Sequence, residues 1–246
     1  MSLLSNLVTD ETIANERDSV GSGGVLDSAL YNFNVALAYI AKSAGGALGL
    51  TLHLKTDAGR ELRQTLWMTS GTAKGCKNYY EDKQGAKQYL PGFIHANALA
   101  LLTTGKEISA LDTETKVINA YSQEAKAEVP TKVEMVMDLL GKDIVAGVIR
   151  QTVDKTKKDD AGVYVPTGET RDENEIDKFF RAKDRMTTAE IRAQAEAPVF
   201  IETWEQKWVG KTRDRTKGAA PAGAPGMPKA APAAAAAKKP TSSLFG

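Results

Sequence analysis

Between Leu66 and Phe93 the chain interleaves aromatic rings with cations. Trp67, Tyr79, Tyr80, Tyr89 and Phe93 are spaced among Lys74, Lys77, Lys83 and Lys87. Flat bases stack on rings, and phosphates attract ammonium groups. Rings and lysines on one surface therefore suit an unpaired nucleic-acid strand. Arg63, in the same basic stretch, joins the candidate set. The opposing reading is that the rings fill a core and the lysines merely solvate a hairpin. Core packing is the stronger expectation for Trp67 and Phe93. For Tyr79 and Tyr80 it is the weaker one, because neighbours on a strand face opposite ways and one of the two must point outward.

Other chemistries find little support. Gly71-Thr72-Ala73-Lys74-Gly75-Cys76-Lys77 departs from a Walker loop: three residues separate its glycines instead of four, and Cys76 intervenes before Lys77. Its amides and lysines remain available to phosphates. The acid pairs Glu81-Asp82 and Asp159-Asp160 fall in polar turns. His53 alternates with leucines and is expected on the polar face of its strand. His95 sits near a helix start and reads as structural. One cysteine, Cys76, and two histidines leave no disulfide and argue against structural zinc. No cofactor is expected, and no enzymatic activity.

The elements that must hold these residues follow from hydrophobic period. YNFNVALAYIA alternates Phe33, Val35, Leu37 and Tyr39, and ALGLTLHLKT alternates Leu48, Leu50, Leu52 and Leu54; both read as strands. Gly45-Gly46 turns between them. RELRQTLWMTS follows as a third strand with Leu62, Leu66 and Met68 inward. A hairpin joins Tyr79-Tyr80 to Gln88-Tyr89 around Asp82–Gly85, closed by Pro91-Gly92. Phe93 to Gly105 has helical spacing. A strand is expected at Lys116–Tyr121, a short helix at Val133–Leu140, and a strong strand in IVAGVIRQTV. Lys155–Ala161 reads as a charged loop, with a last strand pair at Val163–Val165 and Glu175–Phe180. Helices follow at Thr187–Ala195 and from Pro198, the latter with Phe200, Ile201, Trp204 and Trp208 on its apolar side.

Strand, strand, strand, helix, strand, strand is the order of the OB-fold, a five-stranded Greek-key barrel whose open face takes oligonucleotides. The expected fold is thus mainly β, with hairpin and helical additions. Residues 1–24 read as a flexible arm, 25–185 as the barrel and 186–217 as a helical extension. Of residues 218–246, twenty are Ala, Pro or Gly, so this segment reads as a disordered tail. Its tip, Leu244-Phe245, together with Lys238 and Lys239, could dock a partner protein.

Net charge is only +1, but it is unevenly spread. Residues 60–90 hold six basic against three acidic side chains, and residues 178–217 ten against six. The basic run at Lys207–Lys217 reads as a solvated helix end or as a clamp on a strand backbone. No apolar run is long enough to cross a bilayer, and the N-terminus lacks a basic leader, so a cytoplasmic protein is expected.

Four long stretches carry a family resemblance: LHLKTDAGRELRQTLWMTS, KNYYEDKQGAKQYLPGFIHANALALLTTGKE, EVPTKVEMVMDLLGKDIVAGVIRQTVDK and FFRAKDRMTTAEIRAQAEAPVFIETWEQKW. Together they look like the single-stranded DNA-binding proteins of tailed bacteriophages, over roughly residues 25–210. The resemblance implies an OB-fold core without catalysis. It also implies coating of unwound strands in phage replication, recombination and repair, in the cytoplasm of the infected bacterium. It places DNA contacts at Trp67, Lys74, Lys77, Tyr79, Tyr80, Lys83 and Lys87. The chain departs from the family at its end. The usual tail is acidic with a terminal Phe; this one keeps Phe245 but has no acid after Gly218 and adds Lys229, Lys238 and Lys239. The alternative function is an adaptor that recruits replication or transcription proteins, such as RNA polymerase, through this tail. A homo-oligomer is compatible with either.

Overall fold

The computed structural model describes residues 24–122, 126–159 and 164–217. The arm at the N-terminus, up to residue 23, lies outside them. So does the whole tail with Lys238, Lys239, Leu244 and Phe245.

Strands β1 (Ala29–Lys42), β2 (Leu48–Lys55) and β3 (Glu61–Trp67) form an antiparallel meander. Leu50, Leu52, Leu54, Leu62 and Leu66 point inward from it and are buried. The expected single alternation in β1 is corrected. A bulge between Val35 and Leu37 shifts the register, so Phe33 and Val35 are buried but Leu37 and Tyr39 turn to the other face. One extra residue in a ladder reverses every side chain beyond it. Ala38 and Ile40 take over the inward positions.

A two-stranded ribbon follows, β4 (Tyr79–Glu81) with β5 (Lys87–Tyr89). Helix α1 (Pro91–Thr104) then begins with Pro91 in its first turn, where a missing N–H costs nothing. It ends at Gly105, whose φ of 77° only glycine adopts without strain. Ala96, Leu99, Ala100 and Leu102 bury its inner side.

Strands β6 (Thr113–Ser122) and β7 (Ala127–Val136) make a second hairpin, attached to the meander where β7 meets β1 at Tyr39 and Ile40. The helix expected at Val133–Leu140 is therefore corrected. Its first half continues β7, with Val133 and Met135 inward and Lys132 and Glu134 outward, and only a single 3-10 turn spans Met137–Leu139. Pro130 fits within β7 because the edge of the strand away from β6 is unpaired there.

Strands β8 (Asp143–Lys158) and β9 (Tyr164–Arg181) form a long hairpin. The charged loop expected at Lys155–Ala161 is strand up to Lys158, and β9 is one unbroken element rather than two short ones. Cross-strand pairs carry the ribbon there: Lys155 Nζ meets Glu169 at 3.0 Å, and Lys158 Nζ lies 5.4 Å from the Tyr164 ring centre. β8 pairs with the first half of β1 on its other edge.

The central strand order is β3-β2-β1-β8-β9. Among the described residues no ladder joins β3 to β9, so the sheet is not closed, contrary to the closed barrel expected. Helix α1 bridges the two ends instead, packing on β3, β8 and β9. A Cβ on its Gly92 would fall 2.1 Å from the Trp67 carbonyl oxygen, so the helix sits directly against the end of β3. Across the seam, the Ile176 N–H donates to the Gln64 side-chain oxygen at 2.8 Å.

The C-terminal region adds to the same sheet. Helix α2 (Thr188–Arg192) starts with a capping box between Thr187 and Glu190. Helix α3 (Phe200–Trp208) buries Ile201 and Trp204 against Val145, Ile149 and Phe180. The chain then returns as β10 (Thr212–Asp214), parallel to β8. Within the basic run, Arg213 donates to Gln151 at 2.6 Å and is ion-paired to Glu175. Its guanidinium also stacks 5.7 Å from the Trp208 ring centre. No described helix is long and apolar enough to cross a membrane.

Candidate nucleic-acid interface

The register of the meander decides what its outer face presents. Trp67 lies opposite Gly49, Thr65 opposite Thr51, and Arg63 opposite His53. The β1 bulge brings Tyr39 beside them, opposite Thr51. Directly opposed residues share a face, so Tyr39, His53, Arg63 and Trp67 stand together on the side away from the core. Trp67 is 44% exposed, which answers the core-packing alternative for that ring. Its ring lies over Gly49, where the absent side chain makes room for it. Tyr39 and His53 meet edge to face at 5.8 Å. Burial, with a smaller push from Arg63, holds the His53 pKa below its ordinary value against the pull of Glu61, so the ring is neutral near pH 7. Arg63 is exposed and shares a 3.3 Å ion pair with Glu61.

At the end of β3 the chain enters the Gly71–Lys77 loop. The loop is tied at its base, with Ser70 N–H donating to Lys77 O at 2.8 Å and Lys77 N–H to Ser70 Oγ at 3.0 Å. Gly71 is pressed onto the Gly45 carbonyl, and a Cβ there would sit 2.6 Å from it. Gly75 and Cys76 both adopt positive φ, so the loop is tightly curled with Lys74 and Lys77 exposed on it.

The β4–β5 ribbon separates its two tyrosines, as neighbours on a strand must be. Tyr79 shares a face with Tyr89, Glu81 and Lys87, while Tyr80 turns to the other side with Gln88. Lys77 Nζ lies 5.5 Å and Lys87 Nζ 4.9 Å from the Tyr79 ring centre. Tyr79 is half-buried; Tyr80 is 50% and Tyr89 59% exposed. Tyr89 also packs on Phe93 at 5.1 Å between ring centres, and Phe93 rests on the core as expected.

Three hollows link these groups. A groove of about 680 Å³ follows the open seam and holds Trp67, Thr65, Gln64, Lys74, His95 and Glu175. A hollow of about 320 Å³ takes Lys74 on to Lys77, Tyr79 and Tyr80. A third of about 350 Å³ lies between Tyr79, Lys87 and Tyr89. Lys74 borders the first two and Tyr79 the last two, so each hollow shares a wall with the next from Trp67 to Tyr89. Lys74, Lys77 and Lys87 form no ion pair with a described carboxylate, which leaves their charge available.

The structure thus gathers Trp67, Lys74, Lys77, Tyr79, Tyr80 and Lys87. Arg63 shares Trp67's face but lines none of the three hollows. Lys83 stands at the ribbon's tip, in the turn closed by Gly85 N–H to Asp82 O, and lines none of them either. The sequence reading missed Gln64, His95 and Glu175 as lining of the seam groove and Tyr39 on the outer face of the meander, and it named Tyr89 among the rings without placing it among the contact residues. Only Tyr89 had a signal, through its place opposite Tyr79 in the hairpin. The described residues hold no cluster of His, Cys, Asp or Glu that could bind a metal ion. Comparison with known proteins finds no family whose model matches this chain and no curated relative.

Proposed function

We propose that this protein binds single-stranded DNA without strong sequence preference and without catalysis. The observation that carries the reading is the track itself. An exposed indole, Trp67, opens onto a groove that leads past Lys74 to two tyrosines, the first flanked by Lys77 and Lys87. Every base has a face to stack and every nucleotide has a phosphate, so such a surface tolerates any sequence. A duplex hides its base faces and gains only the electrostatic part.

The strand order with α1 between β3 and β8 supports an OB-type architecture, opened along one seam. Together with the resemblance to phage single-stranded DNA-binding proteins, this supports a role in phage replication, recombination and repair within the infected bacterial cytoplasm.

Titration of the full chain with oligo-dT and with duplex of equal length tests the reading. Trp67→Ala and Tyr80→Ala are each expected to weaken oligo-dT binding by about 1–3 kcal/mol. Circular dichroism should remain native. Binding should also fall with salt, by about 0.7 log units per log unit for each phosphate neutralised. Equal affinity of wild type and the double variant for oligo-dT, or tighter binding to duplex, would overturn it.

A further inference from the structure

The seam groove contains an acid that is out of place for a polyanion site. Glu175, on β9, lines the same groove as Trp67 and Lys74. It is the neighbour of Ile176, whose N–H spans the seam to Gln64. A bare carboxylate there would repel phosphate.

That carboxylate is matched from a distant part of the chain. Arg213, on β10, is ion-paired to it, and Arg215 Nη1 meets the same Oε2 at 3.1 Å. Arg213 reaches Asp177 as well, at 3.7 Å. The arginine is itself fixed by Gln151 and by the Trp208 ring. β10 is only three residues long, yet it and the residue that follows it bring two guanidinium groups to one glutamate at the groove's edge.

Resting on the binding reading above, we propose that β10 together with Arg215, the residue after it, is an electrostatic mask for the groove. Arg213 and Arg215 cancel Glu175 so that a DNA backbone can enter beside Trp67. In this role they are positioning residues, and their effect on DNA passes through Glu175. The basic C-terminal run thereby aids binding without clamping the strand itself.

The test uses the full chain and oligo-dT in low-salt buffer. Arg215→Gln, whose side chain is largely exposed, and the double variant Arg213→Gln/Arg215→Gln are compared with wild type. Affinity should fall about three- to tenfold in the double variant, and the loss should shrink at high salt, where screening shortens the reach of Glu175. Adding Glu175→Gln to the double variant should restore affinity to near the wild-type level. Direct phosphate contact by the arginines predicts the opposite, since removing Glu175 cannot replace a lost cation. Should the double variant lose its native circular dichroism, Arg215→Gln with and without Glu175→Gln decides the matter alone. Failure of Glu175→Gln to restore affinity would overturn the mask while leaving Trp67-dependent binding intact. Failure of wild type to bind oligo-dT at all would remove both proposals.

Discussion

The Trp67 ring lies across the backbone of Gly49, its partner on the neighbouring strand: a Cβ at that glycine would stand 2.9 Å from ring atom Cε3 and 2.7 Å from Thr65 Cγ2. Any side chain at position 49 must therefore move the indole. The backbone at Gly49 is ordinary extended strand, so a larger residue is not excluded by conformation.

Gly49→Val is accordingly expected to tilt Trp67 while leaving the fold in place. Oligo-dT affinity should fall by about 1 kcal/mol or more, the lower end of one stacking contact. Tryptophan emission should shift, with far-ultraviolet circular dichroism unchanged. A shifted emission with undiminished affinity would show that the ring's position does not matter to the ligand.

Gly147 provides a contrasting case in the interior. It lies on β8 beneath Trp204, and a Cβ there would come within 2.7 Å of ring atoms Cε2 and Cζ2. The indole cannot retreat, because its Nε1 donates to Asp177 Oδ2 at 2.8 Å and it is packed among Val145, Ile149 and Phe180. Overpacking of this kind costs about 1–3 kcal/mol. Gly147→Ala should lower the urea midpoint accordingly. An unchanged midpoint would mean that α3 is not held against β8 in solution.

The two histidines set a pH dependence of stability. Burial lowers the pKa of His95 below its ordinary 6.5; Lys178 adds to this, while Asp177 and Glu175 oppose it. His53 is lowered in the same direction. A group whose folded pKa is depressed takes up its proton more readily in the unfolded chain. Stability should therefore be greatest above 6.5 and decline as pH falls from there through the folded values. With only these two histidines in the chain, His53→Gln/His95→Gln should flatten the urea midpoint between about pH 7 and pH 5. A double variant that keeps the wild-type decline would place its origin in the carboxylates.

The elements most legible in the sequence were those whose pattern is local. β2 and β3 follow from alternating leucines, the β4–β5 ribbon from its turn residues, and α1 from its spacing and terminal Gly105. Pro91 reads locally as the end of the hairpin, yet it is also the first residue of the helix, since both roles exploit a residue without an N–H. What escaped was decided by tertiary context. The Val133–Leu140 stretch is rich in Met, Leu and Glu, which favour helix, but pairing with β6 and β1 makes its first half strand. The charges of Lys155–Lys158 resemble those of a loop, yet an exposed ribbon tolerates charge on both faces.

For the site, the interleaved rings and lysines were visible at once, and most lie along one track. Tyr39 was assigned to the core face because nothing in YNFNVALAYIA marks the bulge. Glu175 was invisible as a groove residue because it comes from a strand 108 positions after Trp67 in sequence, brought near only by the seam. The counter-charge from Arg213 depends on the return of the chain as β10, which three residues of ordinary composition do not announce.

The gap between β3 and β9 carries a mechanical corollary. A cylinder zipped all the way round has a girth set by backbone bonds, and widening it means breaking several at once. Here the two edges are held by helix α1 packing on both and, between the described strands themselves, by one glutamine side chain. The width of the seam is thus set by side-chain packing, which can adjust without disturbing a single rung between neighbouring strands.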